Sequence, residues 1–190
     1  MFSSPLPAVL KAQKDGALGE LNLQPYPAQC GNCAAWLTYA LLVKNVWIVI
    51  PNIVGLSLGL FFTYTGHAMG SVQQKSSIMK SFVSYASAIG LAIIAAFSGV
   101  FSIPAKEVIG RVGIALLMIY YCSPLATIST VIKTKNAQSI DPLLTVAGIL
   151  NGLFWFMYGR AISDIYVWGP NGIGAILATI STACYLVYKK

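Results

Sequence analysis

The sequence predicts an all-α polytopic membrane protein: two parallel three-helix-bundle repeats joined by a linker helix, a 3-1-3 arrangement whose first helix is incomplete. Three observations predict it. Of 190 residues, 57% are hydrophobic and only 9% charged, where soluble domains carry about 25% charged residues, so a water-exposed fold of this size would have to display most of its apolar surplus. Six stretches contain no Asp, Glu, Lys or Arg: Leu21–Val43, Asn45–Gln74, Ser81–Ala105, Val112–Ile132, Pro142–Gly159 and Ile165–Tyr188. Each holds a segment near the roughly 20 apolar residues that cross a bilayer core. They are continuously apolar rather than alternating, which selects helices over a closed barrel. Finally, the chain resembles itself at a spacing of 119 residues: Ser4-Pro5-Leu6 with Ser123-Pro124-Leu125, Lys14 with Lys133, Asn32, Trp36 and Tyr39 with Asn151, Trp155 and Tyr158, and Pro51-Asn52 and Gly55 with Pro170-Asn171 and Gly174.

In chain order, Met1–Leu10 comes first and cannot span, because ten residues at about 1.5 Å each reach roughly half the hydrocarbon thickness. A secretory signal carries its positive charge ahead of its apolar region, whereas Lys11 and Lys14 follow this one and Pro5 and Pro7 interrupt it. The segment is read as the inner half of a helix whose outer half is missing. Pro25–Val43 and Val46–Gly66 complete the first triplet, residues 1–66. Residues 67–111 hold the unmatched linker helix, Ser81–Phe101, with its flanking loops. Residues 112–190 form the second triplet: Val112–Ile132, Pro142–Gly159 and Ile165–Tyr188. Pro25 and Pro142 miss the common register by two residues, and a small loop difference accounts for them because each opens the second helix of its unit. Passing from one unit to the other crosses four spans, an even number, so the units point the same way through the membrane. Parallel repeats about an axis along the membrane normal are a transporter architecture.

The charges agree with a bilayer. Twelve Lys and Arg against five Asp and Glu give +7, but they sit in short clusters between neutral stretches, as membrane flanks do and a nucleic-acid footprint does not. One side collects Lys11, Lys14, Lys75, Lys80, Lys133, Lys135, Lys189 and Lys190; the other has Lys44, Lys106, Arg111 and Arg160. The richer side is expected to be cytoplasmic, with the C-terminus on it. The plasma membrane is the expected location, an endomembrane the alternative. The four cysteines lie in apolar stretches and read as small hydrophobes; Cys30-Gly31-Asn32-Cys33 has the form of a redox motif without its βαβ context. His67, the single histidine, reads as a solvated loop residue. One histidine and few carboxylates provide no nucleophile–base pair and no metal set, so neither an enzyme nor a metal or cofactor is expected. Ion-driven transport usually places ionisable groups inside the membrane; the six stretches have none, which favours passive uniport.

What they do contain is amide and indole. Asn32, Asn52, Asn151 and Asn171 sit at membrane depth, where an amide is costly unless it finds partners. Each amide offers two donors and an acceptor, groups that can bind a neutral polar solute. Asn32–Trp36 and Asn151–Trp155 are i,i+4 pairs, with Tyr39 and Tyr158 three residues on, so each trio lies along one helical face. An indole can line a pocket with flat apolar surface or anchor a helix at the interface; Trp47 and Trp168 read as anchors, and Trp36 lies mid-span. The asparagines read either as pocket groups or as interhelical glue.

Ser-Pro-Leu, the basic-polar loop Lys133–Ser139, a Pro-headed helix with Asn151-Gly152-Leu153-Phe154-Trp155-Phe156-Met157-Tyr158-Gly159, and then Pro170-Asn171-Gly172-Ile173-Gly174 together resemble the SWEET (nodulin/saliva-type) sugar transporters, in both copies and over nearly the whole chain. The resemblance implies a three-one-three bundle and facilitated diffusion of mono- or disaccharides. It places substrate-binding asparagines at Asn52 and Asn171, pocket tryptophans at Trp36 and Trp155, and hinge prolines at Pro5, Pro25, Pro124 and Pro142. Asn32, Asn151, Tyr39, Tyr158 and Asp164 are the expected supporting residues, although Asp164 also reads as a helix cap. The partners implied are a small neutral sugar and the lipid bilayer, and a homo-oligomer is compatible with them. The first copy departs from the pattern, reading Tyr39-Ala40 where the family usually has Tyr-Gly. The incomplete first helix leaves a second reading: a non-transporting subunit that associates with full-length transporters and modulates them.

Overall fold

The computed structural model describes residues 2–19 and 21–189, with the side chains of residues 120 and 123 outside the description. The parts of the sequence reading that rest on Met1, Lys190 and the Ser123 side chain lie outside the described residues. Among those described, the chain forms seven helices: α1 (Leu6–Asp15), α2 (Tyr26–Leu42), α3 (Val46–Met69), α4 (Val72–Phe97), α5 (Ala105–Thr134), α6 (Pro142–Ala161) and α7 (Ile165–Tyr188). Five of them, α3 to α7, are long and apolar enough to cross a membrane. The exceptions are α1, with 10 residues, and α2, with 17, the latter at the lower edge of what spans a bilayer core.

Several helices outrun the apolar runs that announced them. The linker helix begins at Val72 rather than Ser81, because Ser71 and Gln74 build a capping box: the Ser71 hydroxyl accepts from the Gln74 amide and the Gln74 side chain accepts from the Ser71 N–H at 2.8 Å. Lys75 and Lys80 thus lie on α4 itself. The first helix is displaced in the opposite direction, toward the C-terminus, from the expected Met1–Leu10 to Leu6–Asp15. Pro5 and Pro7 suit the opening of a helix and not its interior, and good helix formers from Lys11 to Lys14 carry it onward until Gly16 turns left-handed at φ 71°. Charge ends the hydrocarbon portion of a helix; only the backbone caps end the helix.

The 119-residue repeat is written into the backbone. Shifting the bounds of α3 by that spacing reproduces α7, the last residue of α2 maps onto that of α6, and α1 maps onto the final ten residues of α5. The left-handed turn residues correspond as well: Lys44 (φ 54°) with Ser163 (φ 55°), and Gly16 with Lys135 (φ 53°). Asn45 opens α3 by accepting the Trp47 and Ile48 amides, and Asp164 opens α7 by accepting that of Tyr166. Asn45→Ala is expected to lower stability by about 1 kcal/mol, the usual worth of such a cap, readable as a shift in thermal midpoint.

The chain divides into two compact units, Met1–Gly113 and Ile114–Lys190. In the first, α2 packs on α3 and α4, α3 on α4, and α1 on α3; Val9, Leu23, Phe62 and Ile78 form its core cluster. In the second, α6 lies along α7, and Val131, Ala137 and Ile140 gather against Cys184, Tyr185 and Tyr188. Large apolar side chains remain on the outside, Leu91 and Ile94 at 66% exposure among them, as expected where lipid is the solvent.

The helices approach closely through glycine. A Cβ at Gly152 would meet the Ala175 backbone at 2.9 Å and one at Gly159 the Trp168 backbone at 2.5 Å, so α6 and α7 touch main chain to main chain in the manner of small-residue membrane interfaces.

Candidate functional site

Each unit carries one copy of the same Pro-Asn arrangement. On α3, Asn52 is buried, 9% exposed, and its Nδ2 donates to the Ile48 carbonyl at 2.8 Å. On α7, Asn171 is half-buried and donates to the Val167 carbonyl at 2.7 Å. Each follows a proline inside its helix, Pro51 and Pro170. A proline contributes no N–H and loosens the helix at that turn, and the asparagine amide adds a donor four residues back along the same stretch. That bond also orients the amide, since only the nitrogen end can donate to a carbonyl. It uses one of two N–H groups and leaves the other, with the amide oxygen, for a further partner.

The aromatic pairs repeat in the same way. Trp36 and Tyr39 of α2 meet edge to face with ring centroids 5.7 Å apart and planes at 83°; Trp155 and Tyr158 of α6 do so at 5.7 Å and 86°. Trp36 and Tyr39 are buried, Trp36 lying beside Gly113, while Trp155 and Tyr158 are half-buried. Trp47 is 66% exposed, and Trp168 stacks with Arg160, whose guanidinium lies 5.2 Å from its ring. Asn32 and Asn151 differ despite their matched positions. The Oδ1 of Asn32 is buried with no hydrogen-bond partner among the described residues, whereas Asn151 is exposed.

The four prolines singled out by sequence take different places. Pro5 and Pro25 precede the first residues of α1 and α2, and Pro142 is the first residue of α6. Pro124 lies inside α5. Sequence reasoning did not single out Pro51 and Pro170 as helix-interior prolines, although the repeated Pro-Asn dipeptide was their signal. Asp164 caps α7 and Asp141 caps α6. Asp164→Asn keeps an acceptor there, as Asn45 does in the first unit; stability is expected to stay within about 0.5 kcal/mol of the native value, and a transport defect in that variant would mark a role beyond capping.

Two smaller expectations resolve differently. The Cys30 and Cys33 thiols are free and buried against α3, Cys30 lying 3.7 Å from the Thr63 hydroxyl, so they pack as small hydrophobes. His67 is not a solvated loop residue: it lies in the last turn of α3, half-buried, with Nδ1 shielded from solvent, because the helix continues to Met69. Away from the asparagines, a depression of about 500 Å³ is lined by Gln24, Ser71, Gln73, Gln74 and Ser77.

Known proteins share this pattern. A family model described as sugar efflux transporter for intercellular exchange matches residues 1–67 and 107–190. The rice (Oryza sativa subsp. japonica) bidirectional sugar transporter SWEET7b is 27% identical over 194 residues, covering all of this chain and 73% of the rice protein. Sugar transporter SWEET1 of Drosophila pseudoobscura pseudoobscura is 29% identical over 167 residues, 85% of this chain and 73% of that one. Bidirectional sugar transporter SWEET5 of Arabidopsis thaliana is 28% identical over 198 residues, all of this chain and 81% of the relative. A solved structure of a eukaryotic SWEET transporter at 3.7 Å resolution aligns with a TM-score of 0.85 over 98% of this chain and 89% of its own, at 24% identity; at that identity the likeness speaks to the fold.

Proposed function

We propose that this chain, which belongs to the SWEET family of sugar efflux transporters, carries mono- or disaccharides across a membrane by facilitated diffusion in either direction. The observation that carries the reading is the repeated Pro-Asn turn, in which a buried or half-buried amide is held by its own helix and keeps a donor and an acceptor free. The repeated edge-to-face Trp–Tyr pair adds flat apolar surface. Asn52, Asn171, Trp36 and Trp155 bind the sugar; Asn32, Asn151, Tyr39, Tyr158 and Asp164 support them. No ion is coupled, since the charged residues on α3 to α7 lie within about two turns of the helix ends and not at mid-span. Names of relatives such as bidirectional sugar transporter SWEET7b support the substrate class and the two-way movement.

The two matched blocks flank α4, which supports a three-one-three division into residues 1–66, 67–111 and 112–190. Pro124 acts as a hinge inside α5, and Pro5, Pro25 and Pro142 set where their helices begin, so that the units rock to open the site alternately to each side. The excess of lysine at one set of helix ends supports a cytoplasmic C-terminus; the plasma membrane is the proposed location.

Radiolabelled glucose and sucrose uptake in transporter-deficient cells tests the reading. Saturable uptake is expected that runs down the sugar gradient, is unaffected by a protonophore and is accelerated by unlabelled sugar on the far side. Uptake that collapses with the proton gradient would overturn uniport, and no uptake of either sugar would overturn the substrate class. Cross-linking the two units is expected to abolish transport; unchanged transport would overturn the rocking motion.

A further inference from the structure

The two halves agree in fold but not in how the asparagine-bearing helices are tied to their neighbours. In the second unit the Tyr121 hydroxyl of α5 donates to the Pro170 carbonyl of α7 at 3.1 Å, and its ring occupies the notch at Gly174, where an added Cβ would collide with it. The matching residue in the first unit is Phe2, whose ring occupies the corresponding notch at Gly55. Phenylalanine fills the same space and has no hydroxyl to donate. There the tie comes from another helix: Gln29 of α2 donates through Nε2 to the Gly55 carbonyl at 2.8 Å. The residue matching Gln29 is Gly148, which has no side chain. Each asparagine-bearing helix therefore receives one side-chain donor on a main-chain carbonyl within a turn of its Pro-Asn pair, from α2 in one half and from α5 in the other.

We infer that Tyr121 and Gln29 are positioning residues for sugar recognition, each anchoring its asparagine-bearing helix within a turn of Asn171 or Asn52. The inference rests on the proposed role of those asparagines. A proline removes one rung of the helix just before the asparagine, so the amide's direction depends on how firmly the helix beside it is held from outside. A misplacement of about 1 Å in a binding group is enough to weaken recognition substantially. The ties also couple the halves to different parts of the fold, because α5 carries the interior Pro124 three residues after Tyr121, while α2 has no proline beyond its first turn.

Tyr121→Phe and Gln29→Met remove the donors and keep most of the volume. Each is expected to raise the half-saturating concentration of glucose or sucrose about three- to tenfold, the factor that one neutral hydrogen bond commands, with the maximal rate and surface expression unchanged. A packing defect would instead lower the amount of folded carrier and leave half-saturation alone, and that result would overturn the inference. Hydrogen exchange on the purified full chain in nanodiscs gives a readout independent of transport. Tyr121→Phe is expected to speed exchange at residues 171–176 and not at 52–57, and Gln29→Met the reverse. Unchanged exchange at these segments would overturn the ties whether or not the wild type transports. Absence of sugar uptake by the wild type with exchange altered as expected would overturn the transport reading and the recognition role together, leaving only the local ties. Faster exchange with unchanged half-saturation in a transporting wild type would overturn the recognition role alone.

Discussion

Asn52→Ala is expected to cut sugar uptake at low substrate concentration by about 10- to 100-fold, and Asn52→Ala with Asn171→Ala together to reduce it to background. On the proposed reading each amide would give about two hydrogen bonds to a neutral sugar, and losing them where water is scarce costs about 1–3 kcal/mol per unsatisfied group. The structural loss is smaller. The bond from Asn52 Nδ2 to the Ile48 carbonyl disappears, but that carbonyl still lies in a helical ladder, so the fold loses only about 1 kcal/mol. Uptake measured beside thermal melting separates the two effects: transport falls far more than the midpoint does. Wild-type uptake by the double variant at matched expression would remove both asparagines from the permeation path. Asn171 is more exposed than Asn52, and Asn171→Ala alone is expected to show the milder defect of the two.

Gly159→Ala is expected to be the most damaging methyl addition in the chain. Its Cβ would stand 2.5 Å from the Trp168 backbone nitrogen and 3.0 Å from the Trp168 Cα, and main chain cannot turn aside as a side-chain tip can. The α6–α7 pair would have to separate, at a cost of about 3 kcal/mol or more for overpacking a close contact. Fluorescence-detected size exclusion is expected to show loss of the monodisperse protein. Gly90→Ala on α4 supplies the contrast, because a Cβ there meets nothing within 4 Å. Replacing a helix-interior glycine by alanine in open space is expected to leave stability unchanged or raise it by up to about 1 kcal/mol. Equal behaviour of the two variants would mean that α6 and α7 do not pack through Gly159.

Much of this was legible before any coordinates. The uncharged runs located six helices and the short first one, and the 119-residue spacing paired positions that the backbone then repeats down to the left-handed turns at Lys44 and Ser163. What misled was the assumption that a helix stops where hydropathy falls. The start of α4 moved from Ser81 to Val72 and α1 shifted toward Asp15, because capping boxes, proline placement and helix propensity act on the backbone in water as well as in lipid. The Pro-Asn pairs were visible as a repeated dipeptide, but their sequence does not say that the amide closes on a carbonyl four residues back.

The sequence by itself determined that this chain is helical, membrane-embedded and duplicated, because lipid lets the backbone satisfy its polar groups only in helices or closed barrels and continuous apolar runs select helices, and because a repeated pattern of apolar and amide residues folds into a repeated unit. Only the tertiary structure decided how the two copies differ. It buries Trp36 while leaving Trp155 half-open, and it ties α3 through Gln29 but α7 through Tyr121. Such contacts join residues 26 and 49 positions apart, and they form only where close helix packing brings a donor within reach of a carbonyl that local sequence leaves unmarked.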